Sequence, residues 1–153
     1  MEKILFINSS PNRNGNTFRI GEELLKNHEH EILQMADYKI YQYGQVYEDD
    51  QIKDVFRKIE TADTLVIGAP IYWYTVGGIL KTFIDRLYML LDAETLRGKK
   101  LYVFAQDSSP SKECYDNIEY LIHRLAKLMG MELKGLSIGA ASEKNKIIDE
   151  LNI

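Results

Sequence analysis

The 153-residue sequence predicts an α/β fold built on a five-stranded parallel sheet, doubly wound, with one crevice at the sheet's C-terminal edge. Three observations lead there. Short apolar runs alternate with stretches whose apolar residues recur at helical spacing, the pattern of strands alternating with helices. The first run, Ile4 to Ile7, is apolar at every position, as in a strand buried on both faces. The only three prolines, Pro11, Pro70 and Pro110, each fall just past the expected end of a central strand, in a loop rich in polar or aromatic groups.

The elements follow in chain order. Ile4–Ile7 breaks into Asn8-Ser9-Ser10-Pro11-Asn12-Arg13-Asn14-Gly15-Asn16-Thr17, and from Thr17 the residues Phe18, Ile20, Gly21, Leu24 and Leu25 recur at helical spacing. Ile32 to Met35 reads as a short second strand, and Tyr38 to Tyr47 as a loop with four tyrosines, either a lid over a planar ligand or a flap packed on the core. Asp49 and Asp50 open a helix whose dipole suits them, with Ile52, Val55, Phe56 and Ile59 inward. Thr64–Gly68 is a third strand, followed by Ala69-Pro70-Ile71-Tyr72-Trp73-Tyr74 and a helix carrying Ile79, Leu80, Phe83, Ile84, Leu87 and Leu91 on one face. Leu101–Ala105 is the fourth strand. Its helix turns Ile118, Leu121, Ile122, Leu125 and Leu128 inward and stops at Gly130, a good C′ residue. Met131–Ile138 is the fifth strand and Ser142–Leu151 a closing helix. Strands separated by helices imply right-handed parallel crossovers.

Composition narrows the function. With 45% apolar and 27% charged residues, residues 1–153 read as one globular domain with a sizeable core. A net charge of −4, with Lys and Arg scattered, argues against a nucleic-acid surface. No apolar run approaches the roughly 18 residues a membrane span needs, and the N-terminus lacks signal-peptide anatomy, so a cytoplasmic protein is expected. The single cysteine, Cys114, leaves no internal disulfide and no multi-cysteine metal site; it reads as a passive small residue. His28 and His30, on a charged turn, read as solvated rather than metal-binding, and His123 as solvent-facing.

The first loop carries the chemistry. A helix's first N–H groups are unpaired and lie at the positive end of its dipole, so hydroxyls, amides, Arg13 and Gly15 at that place suit an oxyanion. Asn16 stands where a P-loop needs Lys, Gly15 alone does not make the dinucleotide fingerprint, and no thiol is present for a phosphatase. A phosphate cradle remains, beside the plainer alternative of a polar βα loop with a capped helix. For the strand order 2-1-3-4-5, the switch point lies between the first and third strands, which sets this loop beside Tyr72-Trp73-Tyr74.

The stretch Asn8 to Thr17 resembles the N-G-S-P-R-K-N-G-N-T loop of the NAD(P)H-dependent FMN reductase and quinone reductase family, of the flavodoxin-like superfamily. Ala69-Pro70-Ile71-Tyr72-Trp73 with Leu80-Lys81-Thr82-Phe83-Ile84-Asp85-Arg86 is similar to that family's second block. The resemblance implies a flavodoxin-like three-layer sandwich holding FMN. It implies that Ser10, Asn12, Arg13, Asn16 and Thr17 hold the phosphate, that Pro70, Ile71, Tyr72, Trp73 and Tyr74 frame the isoalloxazine, and that Gln106, Asp107 and Ser108 close the third side. FMN then carries the redox chemistry, with NAD(P)H as co-substrate and a quinone, flavin or similar small electrophile as acceptor, and no protein side chain is needed as nucleophile or acid/base. Ser9 replaces a usual Gly and Asn12 an Arg, leaving Arg13 as the loop's one cation. Iron–sulfur relatives carry a cysteine cluster where this chain has Tyr41 to Tyr47, so no such centre is expected. Asp85 and Arg86 read as a structural or subunit-interface charge pair, and the Ile79–Leu91 face with Tyr88 and Met89 as a homodimer contact. Two other classes stay open: a one-electron FMN carrier and a flavodoxin-like interaction domain that binds no flavin.

Overall fold

The computed structural model describes residues 1–153. The elements are β1 (Ile4–Asn8), α1 (Asn16–Leu24), β2 (His30–Gln34), α2 (Ile52–Glu60), β3 (Thr64–Tyr72), β4 (Thr75–Val76), α3 (Gly78–Arg86), β5 (Lys100–Asp107), α4 (Lys112–Met129), β6 (Glu132–Ala140) and α5 (Lys144–Leu151). Five strands run parallel in the order β2-β1-β3-β5-β6, which is the predicted 2-1-3-4-5 path in a numbering that counts one more strand. The extra one, β4, pairs antiparallel with the end of β3 through Ile71–Val76 and Tyr72–Thr75.

Helices cover both faces. Leu5, Ile7, Leu65, Ile67, Leu101 and Val103 look toward α2, α3 and α4 in the larger core. Ile4, Phe6, Val66 and Phe104 meet Ile20, Leu24, Ile147 and Leu151 of α1 and α5 in the smaller. Phe6 lies against Gly21 so closely that a Cβ there would fall 2.0 Å from the ring. This glycine is what lets α1 approach the sheet.

Several boundaries differ from expectation, each for a tertiary reason. β2 starts at His30 and ends before Met35, and only Leu33 is buried on it, as suits an edge strand. β3 continues through Pro70, which pairs in register with Gln106. Pro70 therefore lies inside a strand rather than past its end; Pro11 and Pro110 do follow their strands. β1 ends opposite Gly68, so no ladder bond needs a Pro70 N–H, and the Pro70 carbonyl accepts the Gly77 N–H at 3.0 Å. β5 likewise runs on to Asp107, which places Gln106 and Asp107 in the strand rather than in a loop. α3 ends at Arg86, a 3₁₀ turn carries Leu87–Leu90, and Leu91 is exposed. On α4, Leu128 is exposed and Met129 takes the inward place. Gly130 caps that helix at φ 70°, as expected.

Candidate functional site

Three strand ends, of β1, β3 and β5, are knitted together by side chains at the C-terminal edge of the sheet. The Ser9 hydroxyl donates to the Gly68 carbonyl at 2.7 Å, and the Gln106 amide donates to Thr17 Oγ1 at 3.0 Å. The methyl of Thr17 packs on Gly68, where a Cβ would lie 2.8 Å from it. Thr17 and Gln106 are thus brought together, but they spend these groups on each other and are buried. Asn8, not singled out in the sequence, is also fully buried: its amide donates to Gln34 at 2.7 Å and its Oδ1 accepts the Ser10 N–H. Its signal was a polar residue closing a buried strand.

From Ser10 the chain turns over its own hydroxyl, which accepts the Asn12 N–H at 3.1 Å. Beyond that, the backbone N–H groups from Arg13 to Phe18 find no acceptor in the fold. They cluster at the head of α1, where the helix dipole adds positive potential. The same segment offers the exposed side chains of Asn12, Arg13 and Asn16. That donor set fits a phosphate dianion. The Arg13 guanidinium is paired with Asp37, the residue that ends the turn after β2. Any anion in the loop competes with Asp37 for it.

The second corner is made by β3 and β4. The loop between them has two residues, Trp73 at φ 50° and Tyr74 at φ 67°. Positive φ at both central positions is the signature of a type I′ hairpin turn, normally filled by Asn-Gly because side chains clash there. Here two aromatics occupy it, and both are exposed, Trp73 to 91%. Pro70 and Ile71 are buried beneath, and the ring of exposed Tyr72 lies over Gly77. Asn117 of α4 donates to the Tyr74 carbonyl at 3.0 Å and steadies the tip. On the third side, the Asp107 carboxylate accepts the Ser108 N–H at 2.7 Å, and Ser108 is exposed.

Other candidates resolve away from these strand ends. Asp85 and Arg86 do not pair with each other: Asp85 takes Lys81, and buried Arg86 takes Asp50 and the Tyr41 carbonyl at 2.9 Å. Burial raises the Asp50 carboxyl, but the Arg86 guanidinium and the Ile52 N–H outweigh it and hold it below the usual carboxylate range. The tyrosine loop is a flap whose start, at Tyr38 and Ile40, packs on the larger core, while residues 42–49 are exposed. Tyr41 and Tyr47 meet at 4.4 Å between centroids, and Tyr43 meets Tyr88 edge-on at 5.5 Å. His30 is not solvated, for its ring bonds Glu22 at 2.9 Å and the His28 carbonyl at 2.8 Å. His123 is exposed and Cys114 is buried beside the Ser111 hydroxyl. A groove of about 290 Å³ at the opposite, N-terminal edge, lined by Lys3, Glu29, His30 and Lys58 among others, touches none of these loops.

The model of one family, the NADPH-dependent FMN reductases, matches residues 2–134, and its description names FMN and NADPH. An iron–sulfur flavoprotein of Archaeoglobus fulgidus is 39% identical over 99 residues, 57% of this chain and 49% of its own length. The match thus spans about half of that relative. A Bacillus subtilis protein, YwqN, named as an NAD(P)H-dependent FMN-containing oxidoreductase, is 27% identical over 95% of this chain and 89% of its own. The structure of the Trp repressor binding protein from Bacillus subtilis superposes with a TM-score of 0.77 at 22% identity, over 97% of this chain and 96% of that one, and shares the fold.

Proposed function

Because this chain belongs to the NADPH-dependent FMN reductase family, we propose that it is an FMN-dependent NAD(P)H oxidoreductase acting at the crevice between the β1–α1 loop and the β3–β4 hairpin. One observation carries the placement: the unpartnered N–H groups from Arg13 to Phe18, gathered at a helix head beside the end of β3. Bound FMN supplies hydride acceptance from NAD(P)H and its delivery to a quinone, a flavin or a similar small electrophile.

The chain's own residues bind and orient. The Arg13–Phe18 amides, the Ser10 hydroxyl and the Asn12 and Asn16 amides hold the phosphate, with Arg13 as counter-charge once released from Asp37. Thr17 and Gln106 act one step back, by fixing the loop to the ends of β3 and β5. Pro70, Ile71 and Tyr72 form the floor and flank for the ring system; Tyr74, Asp107 and Ser108 bound its outer edge. No side chain is assigned a proton, because the crevice presents no histidine, cysteine or lysine in these loops.

No helix of the chain is long and apolar enough to cross a membrane. A cytoplasmic homodimer completes the reading. Tyr88 and Met89 of the 3₁₀ turn after α3 are exposed, as is Leu91, and Tyr88 and Leu91 share a shallow groove with exposed Leu128 of α4. Light scattering checks the dimer, and a monomer at micromolar concentration removes it.

The central test is direct. The purified protein is expected to bind FMN in equilibrium dialysis, to be yellow when loaded, and to bleach on anaerobic addition of NADPH. Bound FMN that neither NADH nor NADPH bleaches would leave a carrier rather than a reductase. Absence of FMN binding would leave an interaction domain.

A further inference from the structure

We infer that the indole of Trp73 is the stacking surface for the second planar ring of the reaction, the electron-poor oxidised nicotinamide that leaves as product or the quinone that arrives as acceptor, and lies outside the frame that holds FMN. The inference rests on the oxidoreductase reading above and deepens it. Three observations lead to it. The turn is built from two residues in left-handed backbone, although Asn-Gly would form it without strain, so something other than folding retains these side chains. Trp73 is the most exposed aromatic side chain of the fold and touches no ring of another residue, while its neighbours Ile71 and Tyr72 turn to the floor and to Gly77. The tip is nonetheless fixed, by the Tyr72–Thr75 pairing and by the Asn117 amide on the Tyr74 carbonyl.

A solvated, electron-rich ring carried on a fixed turn at the strand ends is an unfilled half of a stack. Indole is the best of the side-chain π faces for a cationic ring such as oxidised nicotinamide, and offset stacking serves a neutral quinone equally. With the α1 head holding the phosphate of FMN and Pro70 and Ile71 its ring floor, Trp73 at the rim would meet a ring that arrives afterwards.

Trp73 is the only tryptophan in the chain, so its emission reports on this site alone. The access of iodide to that emission is measured in the free protein, with FMN, and with FMN plus either NADP⁺ or menadione. The expected result is access little changed by FMN and reduced by the added second ring; which of the two reduces it identifies the source. A Trp73→Asn protein is expected to bind that second ring about ten-fold more weakly in dialysis while its dialysis constant for FMN stays put. Tyr74→Gly alone is expected to keep the stack and to melt about 2–4 °C higher or more, which separates strain from stacking. Shielding by FMN alone would place the indole in the flavin frame and overturn the inference. So would shielding that depends only on protein concentration, or undiminished binding of the second ring by Trp73→Asn. Should the chain bind no FMN, the earlier reading falls, and menadione alone decides this one: shielding keeps the surface, its absence removes it.

Discussion

At the β1–α1 corner the buried hydroxyls and amides of Asn8, Ser9, Ser10 and Thr17 are hydrogen-bonded, and no residue has positive φ. The β3–β4 corner sets Trp73 and Tyr74 in left-handed backbone and leaves their rings in water. The first is finished before any ligand comes, with the Arg13–Phe18 backbone donors and the exposed side chains of Asn12 and Asn16 left over. The second stores strain and presents side chains. A preorganised donor cluster suits a permanent, charged guest, because its reorganisation cost is already met by the fold. A strained aromatic rim suits an exchanging, flat one.

The largest effect is expected beneath the polar corner. Gly68→Ala places a Cβ 2.4 Å from the Phe104 ring and 2.8 Å from the Thr17 methyl. It is expected to cost about 3 kcal/mol in urea denaturation and to weaken FMN, because the loop must move. Gln106→Leu leaves the buried Thr17 hydroxyl without its donor. A loss of about 1–3 kcal/mol in stability is expected, with a looser FMN complex and an unchanged hairpin.

Arg13→Ala removes the one cation of the loop and is expected to weaken FMN in dialysis by up to about 2 kcal/mol, the upper range for a charge at a helix terminus. The Arg13 and Asp37 side chains are 58% and 47% exposed, so solvent screens their pair. Asp37→Asn, which frees Arg13 and removes a like charge from beside the phosphate, is therefore expected to tighten FMN by less than about 1 kcal/mol. Unchanged affinity in both variants would move the phosphate elsewhere.

A last test sharpens the contrast from outside, at the flap. Asp50 is held ionised in the fold by Arg86, so its native carboxyl lies below its unfolded value. The stability this contributes is fully present above the unfolded carboxyl value near pH 4 and is lost as pH falls through the lower native one. Acid titration of the melting temperature is expected to show a smaller acid loss in Asp50→Asn, whose residue 50 no longer titrates, with both corners unaffected at neutral pH.

The sheet path, the polar loop and the aromatic corner were legible in the chain because each rests on local chemistry. A run such as Ile4–Ile7 fits only a strand buried on both sides, Gly130 is the residue a left-handed cap wants, and the run of amides, Arg13 and Gly15 after the first strand suits a loop. The extensions of β3 through Pro70 and of β5 to Asp107 were not legible. They depend on β1 ending opposite Gly68 and on the hairpin returning to receive the Pro70 carbonyl, both set by neighbours distant in sequence.

Which residues have donors, rings and charge, and in what order the strand ends carry them, follows from the chain alone. How those groups are spent follows from the packing. Thr17 is turned on Gln106, Arg13 on Asp37 and Arg86 on Asp50, while the amides of Arg13–Phe18 and the ring of Trp73 are left free. The reason is that a hydrogen bond needs a partner within about 3 Å. Such nearness, between residues up to 89 positions apart, is a property of the packed sheet and of no stretch of chain.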